Sequence, residues 1–134
     1  MSPSIRSVLR TGANTLVGLA LLPTLSSATL LYVASYTGTV TTLNLTTTTC
    51  GQPSLEFVAS SGACAPNPSW LTLDKSTSTL YCLNEGINFP NGSLASFQTS
   101  ASGALTPLSN ITTPWGPVNG VIYGKKGDGL VLAE

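Results

Sequence analysis

The feature that most constrains this chain is an echo of itself at a spacing of about fifty residues. Leu31-Tyr-Val-Ala-Ser-Tyr36 returns as Leu80-Tyr-Cys-Leu-Asn-Glu85, 49 residues later. Leu55-Glu-Phe-Val-Ala-Ser60 returns as Leu105-Thr-Pro-Leu-Ser-Asn110 at an offset of 50, and Trp70-Leu-Thr-Leu73 as Val121-Ile-Tyr-Gly124 at 51. Tyr81-Cys-Leu-Asn-Glu85 and Leu130-Val-Leu-Ala-Glu134 are again 49 apart. Four segments sharing nearly one offset imply one structural unit used repeatedly.

The contents of that unit define its class. Trp70–Leu73, Leu80–Asn84, Leu94–Gln98 and Leu105–Ser109 are short apolar or β-branched runs. They are separated by turn chemistry at Asp74-Lys-Ser-Thr-Ser78, Phe89-Pro-Asn-Gly92 and Ala101-Ser-Gly103. Such runs bounded by Gly, Asn and Ser read as four strands of an antiparallel sheet, with Asn91-Gly92 as a tight hairpin turn. No window past residue 28 carries a 3.6-residue apolar period, so the fold class is all-β. A four-stranded unit of this length matches a β-propeller blade, which buries its faces only against neighbouring blades. Residues 29–134 hold about two blades and the start of a third. The sequence reaches Glu134 inside a strand pattern, giving the expectation of a partial propeller.

Residues 1–28 have a different character. Arg6 and Arg10 precede an apolar run from Ala13 to Leu25, followed by the small residues Ser26, Ser27 and Ala28. That order matches a secretory signal peptide cleaved near Ala28. The alternative, a membrane anchor, needs roughly 20 apolar residues, and Pro23 interrupts a shorter run here. The expectation is therefore a secreted, extracellular protein with no membrane attachment after cleavage. Three glycosylation sequons fit that route, at Asn44, Asn91 and Asn110. An oxidising compartment permits a disulfide among Cys50, Cys64 and Cys82. Cys50 and Cys64 flank a Gly/Pro/Ser-rich stretch and form the expected pair, while Cys82, between Tyr81 and Leu83, reads as a small buried hydrophobe.

Charge narrows the partners. Five basic and five acidic residues give a net charge of zero. A nucleic-acid surface needs a basic stripe to displace phosphate counterions, and none is present. The chain has no histidine, so the usual Cys/His metal sites are excluded; neither metal nor cofactor is expected.

In order and spacing, Asn67-Pro-Ser-Trp-Leu71, Leu80-Tyr-Cys-Leu-Asn-Glu85 and Gly92-Ser-Leu-Ala-Ser-Phe97 resemble the opening of the lactonase-type seven-bladed propellers. Gly103-Ala-Leu-Thr-Pro-Leu108 is similar to the family's strand leading into the next blade. Gly116-Pro-Val-Asn-Gly-Val-Ile-Tyr123 with Gly129-Leu-Val-Leu-Ala133 is similar to its third-blade opening. The family includes bacterial 6-phosphogluconolactonase and fungal carboxy-cis,cis-muconate cyclase. The resemblance implies a propeller that opens or forms lactones, with a lactone or carbohydrate as ligand. Members commonly carry a Pro-Cys-His element where this chain has Pro117-Val-Asn119, so Asn119 stands in the histidine's place. An amide orients a substrate oxygen but takes no proton at neutral pH. The leading expectation is therefore a diverged or incomplete lactone-related activity; the alternatives are a non-enzymatic secreted binding or scaffold propeller, and a nonfunctional truncated product.

Each candidate site residue has a plainer reading beside its functional one. Glu85 closes a strand that the resemblance places near the central channel, where a carboxylate serves as general base; its plain reading is a solvated strand end. Asn84 is a ligand donor or a turn former. Asn67 and Trp70 open a strand, and the indole is either a stacking surface for a sugar or blade-to-blade core. Trp115, between Pro114 and Gly116, lies in a loop and is the better aromatic candidate for ligand contact. Asp74 is structural, its side chain suited to bonding the backbone two residues on. Lys125-Lys126 with Gly127 and Asp128 reads as a solvated hairpin turn.

Overall fold

The computed structural model describes residues 29–124 and 129–134, and the expected leader and the Lys125-Lys126 turn lie outside them. Nine strands are seen among the described residues. β1 (Thr29–Ser35), β2 (Thr39–Thr47) and β3 (Pro53–Ser61) form a three-stranded sheet. β4 (Pro68–Asp74), β5 (Thr79–Asn84), β6 (Gly92–Thr99) and β7 (Leu105–Thr113) form a four-stranded sheet, and β8 (Asn119–Tyr123) and β9 (Gly129–Ala133) a two-stranded one. All pairings are antiparallel between sequence neighbours.

The fifty-residue echo is a structural repeat. β1, β2 and β3 correspond to β5, β6 and β7, and β4 and β5 to β8 and β9. Even the irregularities recur. Val58 is skipped where β2 pairs with β3, and Leu108 where β6 pairs with β7. A bulge at the same place bends and twists both outer strands alike, which lets consecutive sheets nest face to face. Pro107 is accommodated because β7 lies at a sheet edge.

Strand alternation explains how the sheets stack. Leu80 and Cys82 of β5 lie opposite Phe97 and Ala95 of β6, so all four side chains share one face. That face packs with Val40 of β2 and Cys64 of the β3–β4 connector to form a fully buried core between the first two sheets. Tyr32, Ala63, Leu71 and Leu105 pack around it. The opposite face of β5 presents Leu83, which approaches Gly120 beside Leu130 and Leu132 of the third sheet. β5 is thus apolar on both faces. β1 contacts β4 and β4 contacts β8 on one side of the stack, while the outer strands β3 and β7 meet on the other. These are propeller blades fanned with their inner strands together.

Two expectations need correction. The disulfide joins Cys64 to Cys82, with Cα atoms 6.2 Å apart, and Cys50 is an exposed free thiol. Cys50 sits in the β2–β3 turn, whereas Cys64 turns inward and meets the mid-strand side chain of Cys82 across the core. The burial expected of Cys82 holds, but its sulfur is bonded. The Asn91-Gly92 hairpin turn is also displaced. The chain reverses earlier, with Gly86 and Asn88 at positive φ, and Gly92 already begins β6. A side chain at Gly92 would run into the Pro117 ring and the Asn84 carbonyl oxygen, so this glycine is set by close approach. Asp74 behaves as read. Its carboxylate accepts bonds from the Ser76 N–H at 2.8 Å, Ser76 Oγ at 2.7 Å and Thr77 Oγ1 at 2.8 Å.

Candidate active-site rim

The repeat brings the ends of β1, β5 and β9 and the starts of β4 and β8 to one end of the stack. Most candidate residues occupy these positions. Glu85 leaves β5 there with its main chain held on both sides: its N–H donates to the Asn67 carbonyl at 3.0 Å, and its carbonyl accepts from the Gly116 N–H at 3.1 Å. Its side chain reaches the neighbouring blade. Tyr36, just past β1, donates its phenol to Glu85 Oε2 at 2.8 Å. That hydrogen bond, with smaller contributions from desolvation and from the carboxylate's charge, holds the Tyr36 phenol above its ordinary pKa of 10.0. Tyr36 is 58% exposed, so the pair faces solvent.

Sequence reasoning missed Tyr36, although its signal was present. It occupies the place in its repeat that Glu85 occupies in the next, 49 residues on. Glu134 stands a further 49 on. Among the described residues the only basic side chain is Lys75, in the Asp74 turn at the far end of β4. The rim therefore carries acidic side chains without a described cation beside them.

The remaining candidates divide. Asn84 does not present itself to a ligand, which corrects its reading as a ligand donor. It is 5% exposed. Its Oδ1 accepts from the Asn67 N–H at 2.9 Å and the Gly86 N–H at 3.2 Å, and its Nδ2 donates to Ser93 Oγ at 3.1 Å. Asn67 is half-buried, and its Oδ1 is a buried acceptor with no partner among the described residues. Trp70 is 40% exposed rather than core, and it joins blades through its indole N–H instead of by burial. Its Nε1 donates to the Gly120 carbonyl at 3.2 Å and to Thr72 Oγ1 at 3.1 Å, joining the second blade to the third. Thr72 reinforces the joint with a 2.8 Å bond to the same carbonyl. Trp115 lies in the β7–β8 connector, 58% exposed and next to the Gly116 that holds Glu85. Asn119 is half-buried at the start of β8, opposite Ala133. Glu85, Tyr36, Asn67, Trp115 and Asn119 thus share one end, with Trp70 further along the inner strand. Among the described residues this rim encloses no cavity.

The sequon asparagines also differ in placement. Asn91 is exposed in the β5–β6 loop, and Asn110 is exposed on β7 with Nδ2 donating to the Ala63 carbonyl at 3.1 Å. Asn44 lies within β2, half-buried, with its Oδ1 inaccessible.

Repeated antiparallel units, stacked with inner strands adjacent and with polar side chains gathered at one end, define a β-propeller. The family described as lactonase, 7-bladed beta-propeller, matches residues 30–134, and the chain belongs to that family. No curated protein and no solved structure matches it.

Proposed function

We propose that this chain contributes a lactone-binding rim in which Glu85 acts as general base, opening the ring of an uncharged lactone. The observation that carries the reading is the Tyr36–Glu85 hydrogen bond between adjacent blades, in a member of the lactonase family. With Oε2 oriented by the phenol, the other carboxylate oxygen takes a proton from water as that water attacks the lactone carbonyl. The ring C–O bond then breaks, and the departing oxygen recovers the proton, leaving a hydroxy acid. Trp115 offers its indole face to a sugar-like ring. The acidic side chains Glu85 and Glu134 disfavour an anionic ligand, so a neutral lactone suits the rim better than a phosphorylated one.

Secretion and glycosylation complete the proposal. A disulfide buried in the core suits an oxidising compartment, in line with the leader and with the exposed sequons at Asn91 and Asn110. The second reading is a non-enzymatic secreted propeller that binds a carbohydrate or lactone. Its support is the use of Asn84 as a backbone tie, which removes one polar group from ligand contact.

The test is hydrolysis of gluconolactone against its phosphorylated counterpart, followed by proton release at constant pH. The neutral lactone should turn over faster, and Glu85→Gln should lower the rate by about 10²- to 10⁴-fold. Saturable binding without turnover would select the non-enzymatic reading. Full activity in Glu85→Gln would remove Glu85 from the role.

A further inference from the structure

We infer that Asn84 is the positioning residue of the rim: its carboxamide fixes the main chain on both sides of Glu85 and so sets where the carboxylate meets Tyr36. The inference rests on the proposed role of Glu85 for its functional meaning, but its geometry stands independently. Asn84 immediately precedes Glu85 and is 5% exposed. One oxygen, Oδ1, accepts two main-chain N–H groups, from Asn67 at the mouth of β4 and from Gly86 just after Glu85. Gly86 has φ +70°, and a Cβ there would strike the Asn91 carbonyl, so this turn has little freedom once the side chain holds it. The third bond, from Nδ2 to Ser93 Oγ, anchors the amide to β6.

These bonds interlock with those of Glu85 itself. Asn67 donates its N–H to Asn84 and accepts the Glu85 N–H on its carbonyl. Asn67, Asn84, Glu85 and Gly86 therefore close a ring of hydrogen bonds from which the Glu85 side chain projects toward the preceding blade. Removing the carboxamide leaves two N–H groups without their acceptor, a loss that a buried site resists by moving the main chain. Displacement of Glu85 by about an ångström along the bond would stretch the 2.8 Å contact between Oε2 and the phenol beyond hydrogen-bond range. Asn84 never touches the ligand; it acts through Glu85.

The experiment reads Tyr36 rather than catalysis, so it separates this inference from the lactonase reading. In the full chain labelled with ¹³C-tyrosine, the Tyr36 phenol is titrated by NMR and assigned with Tyr36→Phe. The wild-type phenol should titrate above its ordinary value, and Glu85→Gln should bring it back down. Asn84→Ala should reproduce the Glu85→Gln result, while Ser93→Ala, which leaves both Oδ1 bonds in place, should keep the wild-type titration. Asn84→Asp retains the acceptor oxygen and should also keep the phenol raised. A folded Asn84→Ala chain with wild-type Tyr36 titration would overturn the inference. If that variant does not fold, Asn84→Asp decides: a phenol returned to its ordinary value, despite the added negative charge, would overturn it equally. Lack of lactone turnover in the wild type would count against Glu85 as a base and leave this result standing.

Discussion

Breaking the Cys64–Cys82 bond is the most direct test of how the first two blades are held together. The two cysteines are 18 residues apart, and cross-linking a loop of that size removes enough unfolded-state entropy to stabilise the fold by about 3 kcal/mol. For a denaturant slope of about 2 kcal/mol/M, that loss moves a urea midpoint down by roughly 1.5 M. The assay is urea unfolding followed by the fluorescence of Trp70 and Trp115, on oxidised protein, on reduced protein verified by mass, and on the Cys64→Ala/Cys82→Ala double variant. Cys50→Ser is the control. That thiol is exposed in a turn, so its replacement should change stability by no more than about 0.5 kcal/mol. The expected Cys50–Cys64 pair would close a loop of comparable length, so the size of the effect does not distinguish the pairings; the identity of the sensitive cysteine does. An unchanged midpoint on verified reduction, or a Cys50→Ser loss equal to that of the double variant, would refute the reasoning.

Two further perturbations follow from the geometry. Gly92→Ala forces a methyl group against the Pro117 ring and the Asn84 carbonyl; a loss of about 1–3 kcal/mol is expected in the same urea assay, and a wild-type midpoint would show that this approach is not close. The Asp74 carboxyl titrates below its ordinary 3.8, held there first by the Ser76 hydroxyl and then by Thr77 and the Ser76 N–H. A depressed folded-state pKa means its stabilisation is present above 3.8 and lost as pH falls through the lower folded value. The Tm difference between wild type and Asp74→Ala should therefore be present at neutral pH and close in strong acid.

Much of the fold was legible because the repeat is written in apolar alternation and turn residues, both local signals. The four strands proposed between Trp70 and Ser109 all fall inside β4 to β7, and Asp74 does what its turn position dictates. What escaped were facts set by the third dimension. Cys82 reads as an ordinary core residue because nothing nearby in sequence reveals that the connector folds Cys64 onto it. Asn91-Gly92 has the composition of a tight turn, yet Gly92 is required by Pro117, which lies far along the chain and packs against it. At the rim, Glu85 was identifiable as a strand-end acid. Its partner Tyr36 becomes visible only when the repeats are superimposed residue by residue. Asn84 shows the converse: a polar residue beside a candidate base invites a ligand role, and only its burial reveals that its hydrogen-bonding capacity is already used.

The staple between Cys64 and Cys82 also makes the two blade junctions unequal. The β3–β4 connector is covalently tied to the central strand of the blade it enters. The corresponding place in the β7–β8 connector, 51 residues after Cys64, is Trp115, which points outward. The first two blades are therefore coupled into one cooperative unit, and the hairpin of β8 and β9 is joined to it by packing and hydrogen bonds alone. In native-state hydrogen exchange the amides of β8 and β9 would open at lower free energy than those of β5 and β6, so the surface at Asn119 can breathe while Tyr36 and Glu85, the latter held by the Gly116 N–H, stay fixed.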